Sequence, residues 1–372
     1  MSDGRGPLRV GVNALALEPG RPSGARERLA EGTGGAARLL EEKAEFYVYV
    51  PRGLLSDDLG ALGAAANARV VEAPIPPGRG LARRLRALRF LAARAEGDAL
   101  DVLETSPLLV PRILPPRTRV VVTVHDLRAF GSVSPGAILR RIAARRGLAR
   151  GEVVAVSRFT AGEVRRNAGV EAHVIENGVR EVFFEPLPEA DVGLSWAREP
   201  LVLWVGHLER RKDPVTMARA FALLGRDLSL VMVGAEAGAG RALRRAIAAA
   251  PNRERIVIAP PQPLDALRAL YRRARVFVVT SRYEGFSLPV LEAMASGTPV
   301  VASLAGAIPE VAGDAAHYAP PGDAAAFAGA VNRVLLDGPV RAAIVEAGIA
   351  RARAFPWARA SAALAALYER TT

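Results

Sequence analysis

Glu284 and Glu292 have seven residues between them and lie between two predicted strands. Residues 276–280 and residues 298–302 are largely apolar and rich in β-branched side chains, which predicts strands buried on both faces. Two such strands joined through a helix form the repeating unit of a parallel sheet. Carboxylates accept hydrogen bonds from hydroxyl groups, so this pair is a candidate site for a ligand that carries hydroxyls.

The helix between these strands begins close to Glu284. Ser287 can cap the helix, and Pro289 suits its first turn. Gly297 is typical of the helix end, so Glu292 lies on the helix itself. Ligands of parallel sheets bind beyond the carboxyl ends of the strands, against helix N-termini that favour anions. A nucleotide sugar, with hydroxyls on either side of a diphosphate, fits this layout. The alternative is one solvated loop glutamate and one surface helix glutamate.

Two adjacent cations, Arg211 and Lys212, follow another predicted buried strand, residues 201–206. They fall in the loop before a helix that Asp213 and Pro214 begin. Cations at a strand end, aimed into the same crevice as a helix N-terminus, can neutralise the charge on a departing diphosphate. The alternative is an ordinary surface charge run, although Lys212 is one of only two lysines in the chain.

His125 and Asp126 lie at the end of a predicted buried strand in the first half of the chain, residues 119–127. A histidine and an aspartate at a strand end can orient or deprotonate a hydroxyl group. The alternative is a histidine whose hydrogen bonds are satisfied within a loop. Ser157 also ends a predicted strand, and we interpret it first as a helix cap and second as a contact for an acceptor substrate.

The composition limits the class of protein. With 372 residues the chain is long enough for two domains, and half of its residues are apolar, so a full core is available. The absence of cysteine excludes a disulfide framework and a thiolate metal site. No apolar run has the length of a membrane span, and the start of the chain lacks the apolar core of a signal peptide. We therefore expect a cytoplasmic protein.

The formal net charge is +12, and it comes almost entirely from arginine. A cationic chain favours anionic partners such as membranes, nucleic acid or diphosphates. With 5% aromatic residues and no recognisable nucleic-acid module, we expect no nucleic-acid partner. Residues 80–97 predict a basic amphipathic helix with Leu81, Leu85, Leu88 and Leu91 at helical spacing. Such a helix can lie peripherally on an anionic membrane; the alternative is a core helix with a solvated basic face.

Residues 284–303, EGFSLPVLEAMASGTPVVAS, closely resemble the signature of family 4 glycosyltransferases. The two glutamates have the family's spacing, and only Ser287 differs, where the signature has a glycine. VHDL at residues 124–127 also recurs in this family, and residues 205–212 follow its V-G-x-L-x-x-R-K pattern. ENGV at residues 176–179 adds to the resemblance.

The resemblance extends over residues 8–370 and is weakest over residues 16–45. It implies an α/β protein of the GT-B fold, with two facing Rossmann-like domains and a cleft between them. The domains and connecting segments implied are residues 1–184 for an acceptor-binding domain, 185–199 for a linker, 200–354 for a donor-binding domain and 355–372 for a helix that returns to the first domain.

In the resembling family, a glycine-rich loop after the first strand packs near the donor phosphates and the acceptor. Two places in this chain are candidates for that loop, Gly24 with the serine before it and the pair Gly34 and Gly35. The sequence does not decide between them. The alternative is an ordinary turn followed by a helix that starts at Thr33.

The resemblance also implies the residues of the site. Glu284 would hold the sugar hydroxyls, Glu292 the ribose, and His125 the sugar and reacting region, with Asp126 as its partner. Arg211 and Lys212 would stabilise the leaving diphosphate. The residues expected on the donor side are Gly206, Arg211, Lys212, Glu284, Gly285, Phe286, Ser287, Leu288 and Glu292. The residues expected on the acceptor side are Gly24, Gly34, Gly35, His125, Asp126 and Ser157.

The activity that the resemblance implies is retaining transfer of a hexose from a nucleotide-diphosphate sugar, GDP-mannose or a UDP-hexose, to a hydroxyl acceptor. The acceptor would be a lipid-linked saccharide or a small glycoside, no cofactor or metal would be needed, and the protein would be a monomer or homodimer. Three alternatives stay open: a nucleotide-sugar epimerase, a glycosyl phosphorylase, and a catalytically silent subunit that binds nucleotide sugars.

Overall fold

A computed structural model describes residues 6–78, 80–127, 130, 136–187, 193–225 and 227–370 of the chain. The chain divides into two compact units, one formed by Met1–Gly178 with Trp357–Thr372 and the other by Val179–Pro356. The sequence predicts that the first domain ends at residue 184, whereas the first unit ends at Gly178. The boundary is earlier because the chain after Gly178 packs on the second unit. Arg268 Nη2 donates to the carbonyl of Glu185 at 3.0 Å, and the ring of Phe183 lies edge-on to Tyr271. Residues 188–192 of the predicted linker lie outside the described residues.

Most strands of the first unit are short, largely buried apolar runs, as the sequence predicts for strands covered on both faces. The edge strands Ala68–Glu72 and His173–Val174 are half-buried or exposed. The bounds of the strands are β1 Leu8–Asn13, β2 Ala44–Val50, β3 Ala68–Glu72, β4 Val102–Thr105, β5 Arg119–Val124, β6 Glu152–Ala155 and β7 His173–Val174. Over the described residues they form a sheet in the order β3-β2-β1-β4-β5-β6-β7, and neighbouring strands pair in parallel. All of these strands therefore place their carboxyl ends at one edge.

The helices of the first unit include the amphipathic helix that the sequence predicted. The bounds are Gly24–Glu27, Gly34–Leu39, Leu81–Gly97, Ala137–Leu148, Arg158–Ala168 and Trp357–Arg370, with a π-helical turn at Arg28–Thr33 and 3-10 turns at Ser56–Leu59 and Pro107–Leu109. In Leu81–Gly97 the buried residues include Ala87, Leu91 and Ala95, whereas Leu81 and Leu85 are exposed. Only the second half of the predicted apolar face therefore packs into the core.

Neither of the two candidates for the glycine-rich loop lies in a loop of the structure. Gly34 and Gly35 lie in the helix Gly34–Leu39, and Gly24 is the first residue of the helix that Ser23 caps. A side chain on Gly34 would overlap the backbone of Leu62, and one on Gly35 would overlap the hydroxyl of Ser361. The two glycines are therefore needed for close packing, which the same residue type can signal as readily as a loop.

The second unit also has a parallel sheet. Its strands are β8 Leu201–Val205, β9 Ser229–Val233, β10 Ile256–Ala259, β11 Ala274–Val279, β12 Val300–Ser303 and β13 His317–Ala319. Their order over the described residues is β10-β9-β8-β11-β12-β13. Its helices are Pro214–Phe221, Gly240–Ala248, Leu264–Arg273, Leu288–Ala295, Ile308–Ala312, Ala324–Leu336 and Gly338–Arg353, with 3-10 turns at Glu181–Phe183 and Arg253–Arg255. The fully buried Trp204, Phe221 and Phe327 lie in its core.

The last helix, Trp357–Arg370, belongs to the first unit, which confirms the predicted return of the chain. Tyr368 is fully buried, its ring lies edge-on to Phe46, and its hydroxyl donates to Glu104 Oε2 at 2.6 Å. Residues 371 and 372 of the predicted segment lie outside the described residues.

Candidate active site

The candidate donor site lies at the carboxyl edge of the second sheet. Strands β8 and β11 are parallel neighbours, so the loops that follow them leave the sheet at the same edge. Thr280 ties the two loops together, because its hydroxyl accepts from Trp204 Nε1 at 3.1 Å and donates to the carbonyl of Asp213 at 2.8 Å. Each loop carries predicted site residues, and the sheet topology brings them into contact.

Glu284 is the centre of this contact. Its Oε1 lies 2.5 Å from Lys212 Nζ and 2.6 Å from Ser281 Oγ, and its Oε2 lies 2.7 Å from Arg211 Nη1. The residue is only 5% exposed, so these three groups supply the hydrogen bonds that water would otherwise provide. The structure thus brings the predicted site residues Glu284, Arg211 and Lys212 into direct contact.

The charge state of Glu284 follows from these partners. Burial alone would raise the pKa of its carboxyl, but Lys212 and Arg211 outweigh burial and lower that pKa to about 2. For Arg211, burial alone would lower the pKa of the guanidinium. The carboxylates of Glu284 and Glu209 outweigh burial and raise that pKa. Glu284 and Arg211 are therefore ionised at neutral pH, and with Lys212 and Glu209 they form a compact cluster of acidic and basic side chains.

Arg211 is held from two sides. Its Nη1 donates to the carbonyl of Tyr283 at 2.8 Å as well as to Glu284, and its Nη2 donates to Glu209 Oε1 at 2.6 Å. Glu209 was not predicted as a site residue. It stands two residues before Arg211 in a charged loop, and that spacing by itself does not distinguish a partner of the arginine from a solvated side chain.

The helix Leu288–Ala295 begins beside Glu284, with Pro289 in its first turn and Gly297 after its end, as the sequence predicts. The prediction that Ser287 caps this helix through its side chain is wrong. Ser287 has φ +93°, a conformation that favours glycine, and its buried Oγ has no hydrogen-bond partner among the described residues. The side chain makes no capping hydrogen bond to the helix N–H groups, and the positive φ explains why a glycine suits this position of the signature.

Glu292 is half-buried on the same helix, and its Oε2 accepts a hydrogen bond from the hydroxyl of Tyr271 at 2.8 Å. Burial, together with the negative charge of Glu292, raises the pKa of Tyr271 well above its ordinary value, so the phenol stays protonated and donates. Tyr271 comes from the helix Leu264–Arg273, and no pattern in the sequence linked it to Glu292. It fixes the position of one carboxylate oxygen.

Three more predicted donor-side residues shape the backbone around Glu284. Phe286 is buried, and its ring lies edge-on to Phe355 with the centroids 5.9 Å apart. Gly285 is buried, and Leu288 is half-buried at the start of the helix. The backbone carbonyl of Glu284 accepts from Ala307 N at 2.9 Å, so the loop after β12 holds the backbone of Glu284 in place.

Gly206 follows β8, and a side chain there would lie 3.5 Å from Lys212 Cδ. Gly234 follows β9, and a side chain there would overlap the carbonyl of Gly206, so this strand end needs glycine. Next to them is a cavity of about 250 Å³ at the carboxyl ends of β9 and β10. Its lining, which the sequence did not predict, includes Leu208, Gly234, Glu236, Gly240, Ile258 and Pro260.

In the first unit, His125 and Asp126 follow β5 at its carboxyl end, and both are half-buried. Burial lowers the pKa of His125, the nearby positive charge of Arg28 lowers it further, and Asp126 opposes both effects, so that the pKa is about 4. The imidazole is therefore neutral at physiological pH and can accept a hydrogen bond from a hydroxyl group.

A buried polar network that the sequence analysis missed lies in the same unit. Arg28 is fully buried and donates to the carbonyl of Ile175 and to Asn177 Oδ1, both at 3.0 Å. Glu104 accepts from Thr123 Oγ1 at 2.7 Å and from the hydroxyl of Tyr368. A glutamate inside the apolar run of β4 was the available signal, because buried carboxylates are rare unless they are paired.

Ser157 caps the helix Arg158–Ala168 by accepting from Thr160 N at 3.0 Å, which confirms its first interpretation. Its side chain is fully buried, and its contact with an acceptor stays a prediction. Across the described ranges, no group of three or more His, Asp or Glu side chains is arranged to hold a metal ion. The predicted donor-side residues all belong to the second unit, and the predicted acceptor-side residues all belong to the first.

Comparison with known proteins supports the family assignment. Residues 191–351 match the model of glycosyl transferases group 1, and residues 36–181 match the model of glycosyltransferase family 4. The two models together account for most of the chain. The chain therefore belongs to the family 4, group 1 glycosyltransferases, and its fold is GT-B.

Two curated relatives have informative names. The D-inositol 3-phosphate glycosyltransferase of Xylanimonas cellulosilytica is 31% identical over 59% of this chain and 57% of its own length. The O-antigen chain mannosyltransferase B of Escherichia coli is 33% identical over 44% of each chain. The matches thus span about half the length of these relatives.

Two solved structures share the fold over almost the whole chain. Sucrose-phosphate synthase from Thermosynechococcus elongatus has a TM-score of 0.77 at 21% identity, covering 98% of each chain. Anabaena HepE in complex with UDP-glucose has a TM-score of 0.76 at 17% identity, covering 98% of this chain and all of its own.

Proposed function

We propose that this protein transfers a hexosyl group from a nucleotide-diphosphate sugar to a hydroxyl acceptor and retains the configuration at the anomeric carbon. The observation that carries the proposal is the contact of Glu284 with Arg211 and Lys212 beside a helix N-terminus, in a chain of this family. Carboxylate oxygens there suit sugar hydroxyls, and the two cations and the helix N–H groups suit a diphosphate.

In the proposed reaction, the bond between the anomeric carbon and the diphosphate oxygen breaks, and a bond to the acceptor oxygen forms on the same face. The proton of the acceptor hydroxyl passes to the departing phosphate oxygen. Arg211 and Lys212 stabilise the negative charge that develops on the leaving diphosphate. These cations take the part that a metal plays in other transferases, so the reaction is metal-independent.

We assign the cavity next to Gly234 to the nucleoside of the donor. It opens at the same sheet edge as Lys212. Glu292, whose carboxylate accepts from Tyr271, is our candidate for the ribose hydroxyls. The binding of UDP-glucose by HepE supports a UDP-hexose, and the name of the Escherichia coli relative supports GDP-mannose as the second candidate.

We assign acceptor binding to the first unit. A neutral His125 can accept a hydrogen bond from an acceptor hydroxyl, and Asp126 beside it is its proposed partner. A sugar hydroxyl of a lipid-linked saccharide or of a small glycoside fits this chemistry.

We also propose that the protein contacts an anionic membrane peripherally through the first unit. Leu81 is 68% and Leu85 is 49% exposed on a helix whose exposed residues include Arg86 and Arg89. Aliphatic side chains next to arginines suit the interface of an anionic bilayer. Among the helices of the described ranges, none is both long and apolar enough to cross a membrane. Sedimentation with anionic vesicles, lost in Leu85→Glu and absent with zwitterionic vesicles, would support this contact.

The experiment that tests the proposed activity is turnover of UDP-glucose and GDP-mannose with a panel of saccharide acceptors in the presence of EDTA. Formation of an α-linked glycoside from an α-linked donor, detected by nuclear magnetic resonance, supports retaining transfer. Conversion of the donor without acceptor indicates an epimerase, and a requirement for inorganic phosphate indicates a phosphorylase. Binding of the donor without any turnover indicates a silent subunit.

A further inference from the structure

We propose that Glu209 competes with the donor's diphosphate for Arg211, and that it thereby sets how tightly the nucleotide is held. The inference rests on the proposed function, because it takes the diphosphate of a nucleotide sugar as the ligand of Arg211.

The two carboxylates around Arg211 occupy different nitrogens of its guanidinium. Glu284 Oε2 lies 2.7 Å from Nη1, and Glu209 Oε1 lies 2.6 Å from Nη2. The side chain of Glu284 is 6% exposed, whereas those of Glu209 and Arg211 are 21% and 20% exposed. An arriving anion therefore reaches the Nη2 side of the arginine, where Glu209 is, more easily than the buried Nη1 side.

The charges of the cluster cancel. Arg211 and Lys212 contribute two positive charges, and Glu209 and Glu284 contribute two negative charges. A diphosphate thus approaches cations that internal carboxylates already neutralise. Removing the charge of Glu209 leaves the cluster with one net positive charge, which attracts the diphosphate more strongly.

The geometry indicates competition rather than support of the arginine. Arg211 Nη1 is fixed by two acceptors, Glu284 Oε2 and the carbonyl of Tyr283 at 2.8 Å. These bonds keep the guanidinium in place when the carboxylate on Nη2 is lost. If Glu209 were needed to orient Arg211, its loss would weaken binding; because the orientation is fixed at Nη1, we expect its loss to strengthen binding.

A built-in competitor has a kinetic consequence. The diphosphate product carries more negative charge than the donor, so a site with unopposed cations would retain it after transfer. Glu209 lowers the affinity for both and favours release of the product. We expect Glu209→Gln to lower KM for the donor and the inhibition constant of the free nucleoside diphosphate, with no gain in kcat.

The test is isothermal titration of UDP, GDP and inorganic pyrophosphate into the wild-type protein, Glu209→Gln and a control, Glu199→Gln. Glu199 precedes β8 at the opposite end of the strand, and it is paired with Arg273 Nε at 2.8 Å. The control therefore loses one ion pair of the same unit away from the site. We expect Glu209→Gln to bind the nucleoside diphosphate about 3- to 10-fold more tightly, and Glu199→Gln to bind it as the wild type does.

A double-mutant cycle with Arg211→Ala separates competition at the arginine from repulsion through space. If Glu209 acts through Arg211, then Glu209→Gln changes affinity less than about twofold in the Arg211→Ala background. An undiminished effect there overturns the role of Arg211. Unchanged or weaker binding by Glu209→Gln, with a wild type that binds UDP or GDP, overturns the inference alone. Failure of every variant and of the wild type to bind any of the three probes overturns the proposed function and the inference with it.

Discussion

Lys212 Nζ lies 2.5 Å from Glu284 Oε1, although 71 residues separate them in the chain and they belong to loops after two neighbouring parallel strands. The pair is the link between the two motifs of the second unit, the basic residues after β8 and the glutamate after β11. Because both side chains are largely buried, the charge of each one stabilises the charge of the other. The two charged groups lie together at the carboxyl edge of the sheet.

Replacing Glu284 tests this mutual stabilisation. Glu284→Ala leaves Arg211 and Lys212 without their buried carboxylate, so we expect it to lower the free energy of unfolding by about 3 kcal/mol. Glycosyl transfer should be abolished as well, because the sugar hydroxyls lose their acceptor. Urea unfolding and turnover measure the two effects. Glu199→Gln is the control, with an expected change below about 1 kcal/mol because Glu199 is largely exposed. Full activity of Glu284→Ala would show that Glu284 does not bind the donor.

The stability of the protein in acid should depend on Glu284. Its pKa in the folded protein is about 2, below the ordinary value of 4.5, so the unfolded chain binds the proton more readily between these values. The stabilisation is complete above pH 4.5 and is lost as the pH falls toward 2. Urea unfolding of the wild type and of Glu284→Gln across this range should give curves that converge as the pH falls. A constant difference between the two proteins would contradict the assigned pKa.

Replacing Ser287 with glycine should make the protein more stable. A φ of +93° strains the backbone of any residue that carries a side chain. Among the described residues the Ser287 hydroxyl has no hydrogen-bond partner that would offset this strain. We expect Ser287→Gly to raise the free energy of unfolding by about 1 kcal/mol and to preserve transfer. Ser287→Val should destabilise the protein, because a β-branched residue suits positive φ least. A loss of transfer in Ser287→Gly with the fold intact would instead assign the hydroxyl a direct part in donor binding.

Protonation of His125 should destabilise the protein in mild acid. Its folded-state pKa of about 4 lies below the ordinary 6.5, so protonation favours the unfolded chain between these values. The stability that depends on the neutral imidazole is fully present above pH 6.5 and is lost as the pH falls toward 4. His125→Gln should be less sensitive to pH in this window. Nuclear magnetic resonance titration of the imidazole measures the pKa directly, and a value near 6.5 would contradict the assigned pKa of about 4.

Much of this fold can be predicted from the sequence, because the strands are short apolar runs and the helix ends carry proline, glycine and capping residues. The strand–helix–strand unit around Glu284 shows this most clearly, since its strand and helix positions agree with the structure to within about two residues. Sheet topology then brings Glu284 to Lys212 without any further information. The role of Gly34 and Gly35 could not be decided, because a glycine needed for packing and a glycine needed for a loop look alike in one sequence.

The partners of the site residues could not be predicted. The contact of Tyr271 with Glu292 depends on how two helices pack, and the buried network of Arg28, Glu104 and Tyr368 joins segments from opposite ends of the chain. The positive φ of Ser287 was missed because serine is a common helix cap, although the glycine of the family signature at this position was a signal for it. Local patterns specify elements and strand ends, whereas side-chain pairing across elements is decided only by the packed structure.

Calorimetric titration of nucleotide sugars in the presence of EDTA, with the wild type and Lys212→Met, tests the central claim that the cluster of Glu284, Arg211 and Lys212 binds the donor. Methionine keeps much of the length of lysine and removes the charge. The account predicts that the wild type binds UDP-glucose or GDP-mannose without a metal, and that Lys212→Met binds the same donor at least about tenfold more weakly. Equal affinity of the two proteins, or binding by the wild type only after a divalent cation is added, would contradict it.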